Sequence, residues 1–126
     1  MENATSSANI LQHPWPKVEH FDFEAFEQEC EIHDDKVIIG GMWTGILGDS
    51  YRLLGFENFL FNIATRPELV KTLVDRMADF YLKINDCVFS QLKGKMDIWF
   101  FGNDFGSQKG LLFSEKMFTE FFLDNI

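Results

Sequence analysis

The sequence predicts an α/β chain with parallel strands. Three observations carry that expectation. Residues 37–40 and Ile98–Phe101 are short, bulky apolar runs suited to strands buried on both faces. A long amphipathic helix, residues 67–92, lies between them. A polar, glycine-rich loop follows the second run directly.

Residues 1–9 are small and polar and are expected to be disordered or frayed, or equally the tail of an upstream helix cut short by truncation. His13-Pro14-Trp15-Pro16 is expected to be extended, because each proline drives its predecessor out of the helical region. Asp22 suits the N-cap of a helix to about Ile32, with Phe23, Phe26 and Cys30 near one face. The β-branched Val37-Ile38-Ile39 makes the first strand, and Gly40-Gly41 reads as the turn that ends it. Residues 46–54 and 56–64 are expected to be short helices separated by Gly55. Thr65-x-x-Glu68 reads as a capping box with Pro67 in the first turn. Val70, Leu73, Val74, Met77, Tyr81, Ile84 and Val88 recur at helical spacing, an apolar stripe to lie against a sheet. Gly94 ends that helix, and Ser114 caps a last one over residues 117–123. Two strands joined by so much helix are expected to run parallel, with Trp43 and Asp104 at the same end.

Composition narrows the function. The 126 residues fit one domain, and 46% hydrophobic with 25% charged residues describe a folding chain. The net charge of −9 opposes binding to nucleic acid or anionic membranes, both of which need clustered Lys and Arg. Neither a membrane span nor a leader is read in the sequence. Cys30 and Cys87 form no metal or redox spacing, and a reducing cytoplasm is the simplest setting. His13, His20 and His33 follow no ligand spacing and read as surface residues. Asp104-Phe105-Gly106 matches the kinase metal-binding triplet, but no glycine-rich loop, lysine or catalytic loop precedes it.

In α/β folds the loop at the carboxyl end of a strand is where ligands bind. That makes Asn103, Asp104 and Gln108 the first candidates. Asp104 suits a proton acceptor, a ligand of a bound cation or a hydrogen-bond acceptor, while Asn103 and Gln108 suit the fixing of a polar substrate. The same residue types are also ordinary turn formers.

These residues also carry a resemblance. The second strand, Asn103-Asp104-x-Gly106-x-Gln108-x-Gly110-Leu111-Leu112-x-Ser114 and then Met117-Phe118 resemble the uroporphyrinogen decarboxylase superfamily, which includes cobalamin-linked thiol methyltransferases. Gly40-Gly41-Met42-Trp43, Leu54-Gly55-Phe56-Glu57 and Arg66-Pro67-Glu68-Leu69-Val70 extend it upstream, and His13-Pro14-Trp15-Pro16 with Phe21-Asp22 fits divergent bacterial members. The likeness spans most of the chain but only the middle of the family's sequence. It implies a (β/α)8 TIM barrel, which needs about 200 to 250 residues. Residues 1–126 would then be a fragment of one such barrel domain, a partial barrel of two to three β/α units, inactive alone.

In the decarboxylases, a Trp-Thr pair after the corresponding strand is followed by a substrate-contacting tyrosine. Trp43-Thr44 is present here. Tyr51 precedes Gly55 as in the family pattern but stands further from Trp43, and plain packing is the other reading of both aromatic residues. The methyltransferase branch holds zinc on a His-x-Cys motif and a later Cys, for which Cys30 and Cys87 do not stand in. The decarboxylases' arginine-rich signature is absent too. The resemblance therefore implies zinc and a corrinoid only for a full-length methyltransferase-like protein, and no metal or cofactor in this chain. The 103–108 loop favours that branch, acting on a small-molecule substrate with methyl transfer to a thiol, and net acidity sits poorly with a polycarboxylate. The alternatives are a tetrapyrrole decarboxylase acting on uroporphyrinogen, or a non-catalytic acidic α/β interaction subunit. Missing barrel segments or a homo-oligomer are the implied partners.

Overall fold

The computed structural model describes residues 1–42 and 45–126. In chain order the elements are α1 (Ser7–Leu11), a 3-10 turn (Val18–His20), α2 (Phe23–Ile32), β1 (Ile39–Met42), α3 (Ile46–Leu54), α4 (Phe56–Thr65) and α5 (Pro67–Gln91). They continue with β2 (Ile98–Phe101), β3 (Gly106–Ser107), β4 (Gly110–Leu111), α6 (Glu115–Phe121) and a closing 3-10 turn (Leu123–Asn125). The chain is mixed α/β, with helix far outweighing strand.

β1 and β2 pair in parallel, Ile39 opposite Ile98 and Met42 opposite Phe101. The expected pairing direction holds, but β1 begins two residues later than the apolar run. Asp97 explains the shift: its Oδ2 accepts the Ile38 N–H at 2.9 Å, so a side chain takes up the lead-in to the strand. Gly40 and Gly41 are strand rather than turn. A Cβ on Gly41, whose φ is +138, would fall inside 3.0 Å of the Phe100 backbone, and glycine lets the two strands approach there.

The expectation of strands buried on both faces is corrected. Ile39 is 63% exposed, Ile98 49% and Phe100 44%. The opposite face is covered: Trp99 packs edge-on against Phe89 of α5, and Met96 and Trp99 join Ile84, Val88 and Leu92 in a small cluster. One side of the sheet carries the helices, and on the other Ile39 and Ile98 stay largely exposed.

α5 is continuous over its 25 residues, and its stripe Val70, Leu73, Val74, Met77, Tyr81, Ile84 and Val88 is buried as the spacing predicts. Its partners differ from the expected sheet. Most of the stripe lies on α1, α3 and α4, and only its carboxyl-terminal end reaches the strands. The core beneath it is built around Phe59 and Phe122, both fully enclosed, with Ile10, Leu47, Leu54 and Leu73. Each such side chain contributes about 1.5–3 kcal/mol by burial.

The amino-terminal segment is not a frayed tail. α1 packs on α5, Ala4 and Ile10 are buried, and the Thr72 hydroxyl donates to Ser7 Oγ at 3.0 Å. Asp22 caps α2 as expected, accepting from the Ala25 N–H at 2.9 Å, and Ser114 caps α6 through the Met117 N–H. That last helix starts earlier than expected and gives way to the 3-10 turn after Phe121. The Thr65–Glu68 capping box does not form. α4 runs on to Thr65, whose hydroxyl donates to the Phe61 carbonyl, and Arg66 takes the cap position before Pro67.

Candidate functional site

The loop after β2 and the first turns of α3, the helix that follows β1, enclose a cavity of about 370 Å³. Its polar lining comes from Tyr51, Arg52, Asn103 and Asp104, with Phe100 as an aromatic wall and Gly45, Gly48 and Gly102 leaving the space open. Parallel pairing of β1 and β2 brings these segments together, since both strands deliver their following residues to one end.

Asn103 joins the two units. Its Oδ1 accepts the Leu47 N–H at 3.1 Å, satisfying one of the amides that a helix start leaves without an intrahelical partner. Gly45 at the N-cap has no side chain to do this, and Asn103 lies so close that a Cβ there would overlap it. Asn103 Nδ2 is enclosed and has no partner among the described residues. The side chain that the sequence offers to substrate thus commits its oxygen to the fold, and its amide nitrogen remains to donate.

Asp104 Oδ1 accepts the Gly106 N–H at 3.0 Å, a turn within its own loop. The residue is exposed at the cavity, so its carboxylate faces both solvent and the enclosed space. Tyr51 is half-buried, and its ring meets Phe56 edge-on at 5.5 Å. Gln108 is not brought in. It occupies the tip of the β3–β4 hairpin and is exposed. No periodic signal marks this hairpin in the sequence; its turn ties Ser107 Oγ to the Gly110 carbonyl and leaves Gln108 exposed. Trp43 lies outside the described residues.

Arg52 was not singled out from the sequence. It lies one residue after Tyr51 on α3, where its guanidinium donates to Asp49 Oδ1 at 3.0 Å. Asp49 Oδ2 accepts from the Tyr81 hydroxyl, so α5 anchors the pair from below. The i,i+3 spacing of Asp49 and Arg52 was the available signal, and it also describes any solvated helical pair. The cavity therefore combines a carboxylate, a guanidinium, a phenol and a buried amide donor. That set can orient a polar molecule and accept a proton from it.

No set of three or more His, Cys, Asp or Glu side chains converges among the described residues. Cys30 is buried in α2 and Cys87 half-buried in α5, so these two thiols do not fit a zinc site. No helix among the described residues is long and apolar enough to cross a membrane. No family model, curated protein or solved structure matches the chain.

Proposed function

We propose that the chain forms two to three β/α units of a uroporphyrinogen-decarboxylase-like (β/α)8 barrel enzyme of the methyltransferase-like branch, working in the cytoplasm to transfer a methyl group to a thiol. One observation carries this reading. β1 and β2 run parallel across a helical crossover, and the residues beyond their ends meet in a single cavity. Exposed apolar side chains such as Ile39 and Ile98 are what the inner wall of an incomplete barrel presents. In this reading Asp104 accepts a proton or hydrogen bond from the substrate, and Tyr51 and Arg52 orient it. Asn103 acts chiefly by holding the 103–110 loop on α3. Other strand ends supply the remaining catalytic groups.

Sequencing the gene and its transcript on both sides of these codons tests the proposal. An in-frame continuation with further β/α units and a His-x-Cys motif is expected. The extended protein should then transfer methyl from methylcobalamin to a thiol, and D104N should depress that activity. Uroporphyrinogen decarboxylation without methyl transfer would move the protein to the other branch. Stop codons closing both sides would overturn the barrel reading.

A further inference from the structure

A second cavity, of about 240 Å³, shares Arg52 with the first and is lined also by Asp49 and by His13, Trp15 and Pro16. We propose that it binds a small neutral aromatic molecule carrying a hydrogen-bond donor, such as a phenol or an indole. This assignment does not depend on the barrel reading.

The walls are aromatic and aliphatic: Trp15, Leu53, Met77, Phe80 and Tyr81. Met77 and Tyr81 belong to the buried stripe of α5 and are 6% and 5% exposed. Trp15 is fixed from three directions. Its Nε1–H donates to the Ile10 carbonyl at 2.8 Å, the Arg76 guanidinium lies over its ring at 5.4 Å, and His13 meets it edge-on at 5.3 Å. The slot is thus held in shape before any ligand arrives, which lowers the ordering cost of binding. A dry cavity of about 150 Å³ lined by Leu, Ile and Phe in another protein accepts benzene. The larger volume here leaves room for one ring with a polar substituent.

Asp49 sets the polarity of that substituent. A carboxylate offers about four lone-pair positions. Tyr81 and Arg52 occupy one on each oxygen, so further acceptor capacity remains at the cavity. Arg52 already balances the charge of Asp49, which removes the advantage an ammonium group would have. An added anion would face both Asp49 and a chain of net charge −9. A neutral O–H or N–H donor on a flat apolar body satisfies both conditions.

The test is a titration of the full 15N-labelled chain with phenol and, separately, with toluene, followed by amide and indole N–H resonances. Saturable shifts are expected at the Trp15 indole N–H and around Leu53, Met77 and Tyr81. Phenol should bind about tenfold more tightly than toluene, the effect of one hydrogen bond to a charged acceptor. Asp49→Asn should narrow that gap, and Leu53→Trp, which fills the slot, should abolish both responses. The wild-type comparison decides without any variant. Equal affinity for the two probes, or shifts that miss the Trp15 indole, would overturn the proposal.

Discussion

Two glycines three residues apart in the first turns of α3 are predicted to respond oppositely to alanine. At Gly45 the backbone is extended, φ −97 and ψ 179, a conformation alanine adopts freely. The obstacle is space: an added Cβ would lie inside 3.0 Å of Asn103 Oδ1 and of the Gly102 carbonyl, the latter backbone that cannot swing aside. Overpacking of this kind costs about 1–3 kcal/mol. Displacing Asn103 from the Leu47 N–H adds about 1 kcal/mol for the lost cap. The reduced freedom of the unfolded chain returns only about 0.4–1 kcal/mol. G45A should therefore destabilise by roughly 1–3 kcal/mol, from the sum of these contributions. At Gly48 the nearest atom to an added Cβ is Tyr51 Oη at 4.0 Å, so nothing clashes. There the helix propensity of alanine should stabilise by up to about 1 kcal/mol. Urea melts measure both, and 2 kcal/mol moves the midpoint by roughly 1 M for a chain of this size. In G45A the Leu47 amide should also lose its protection from hydrogen exchange. A G45A chain as stable as the wild type would refute the proposed contact between the two β/α units.

Other perturbations read other parts of the structure. Phe122 is fully buried and its ring meets Phe105 at 5.2 Å and Phe113 at 5.3 Å, so F122A should cost about 3–5 kcal/mol in a denaturant melt; a loss below about 1 kcal/mol would remove the aromatic cluster from the core. Ile10 is equally buried, and I10A should cost about 2–5 kcal/mol if α1 belongs to the fold; a neutral result would return residues 1–9 to a frayed tail. Lys95 donates to Glu27 and Glu31 of α2, and these hydrogen bonds, Glu27's first, raise its pKa. A raised folded pKa gives stability that is complete below the ordinary lysine value, about 10.4, and is lost as pH rises through the folded one. The melting difference between wild type and K95Q should accordingly be steady at neutral pH and close in strong base; a difference that persists there would show that the ion pairs are not its source.

Legibility from sequence divides along physical lines. The α5 stripe was plain because seven apolar residues at helical spacing leave little choice of element, and Asp22 and Ser114 were plain because a cap depends on local chemistry alone. What covers a strand is not local. Ile98 carries the same apolar signal whether or not a neighbour exists, so its exposure could not be read from residues 98–101. The same holds for Asn103, whose oxygen is taken by an amide 56 residues away, and for Ile10, which needs α5 to bury it. Gly40-Gly41 misled because glycine marks both turns and close strand approach, and only the pairing with Phe100 distinguishes them. At the strand-end cavity, Tyr51, Asn103 and Asp104 are brought together, whereas Gln108 is carried off by a two-residue-strand hairpin too short to leave a periodic signal.

The open face of β1 and β2 is where the account stands or falls. A parallel pair with Ile39 and Ile98 toward solvent lacks part of the cover that such sheets require. Each of these side chains is about half exposed and so withholds roughly half of the about 1.5–3 kcal/mol that full burial contributes, and a whole domain holds only about 5–15 kcal/mol. Size-exclusion chromatography with light scattering, followed by a urea melt of the same sample, measures the consequence. An incomplete barrel predicts association beyond the monomer or a shallow unfolding transition. A monodisperse monomer that unfolds in one steep, cooperative step would contradict it.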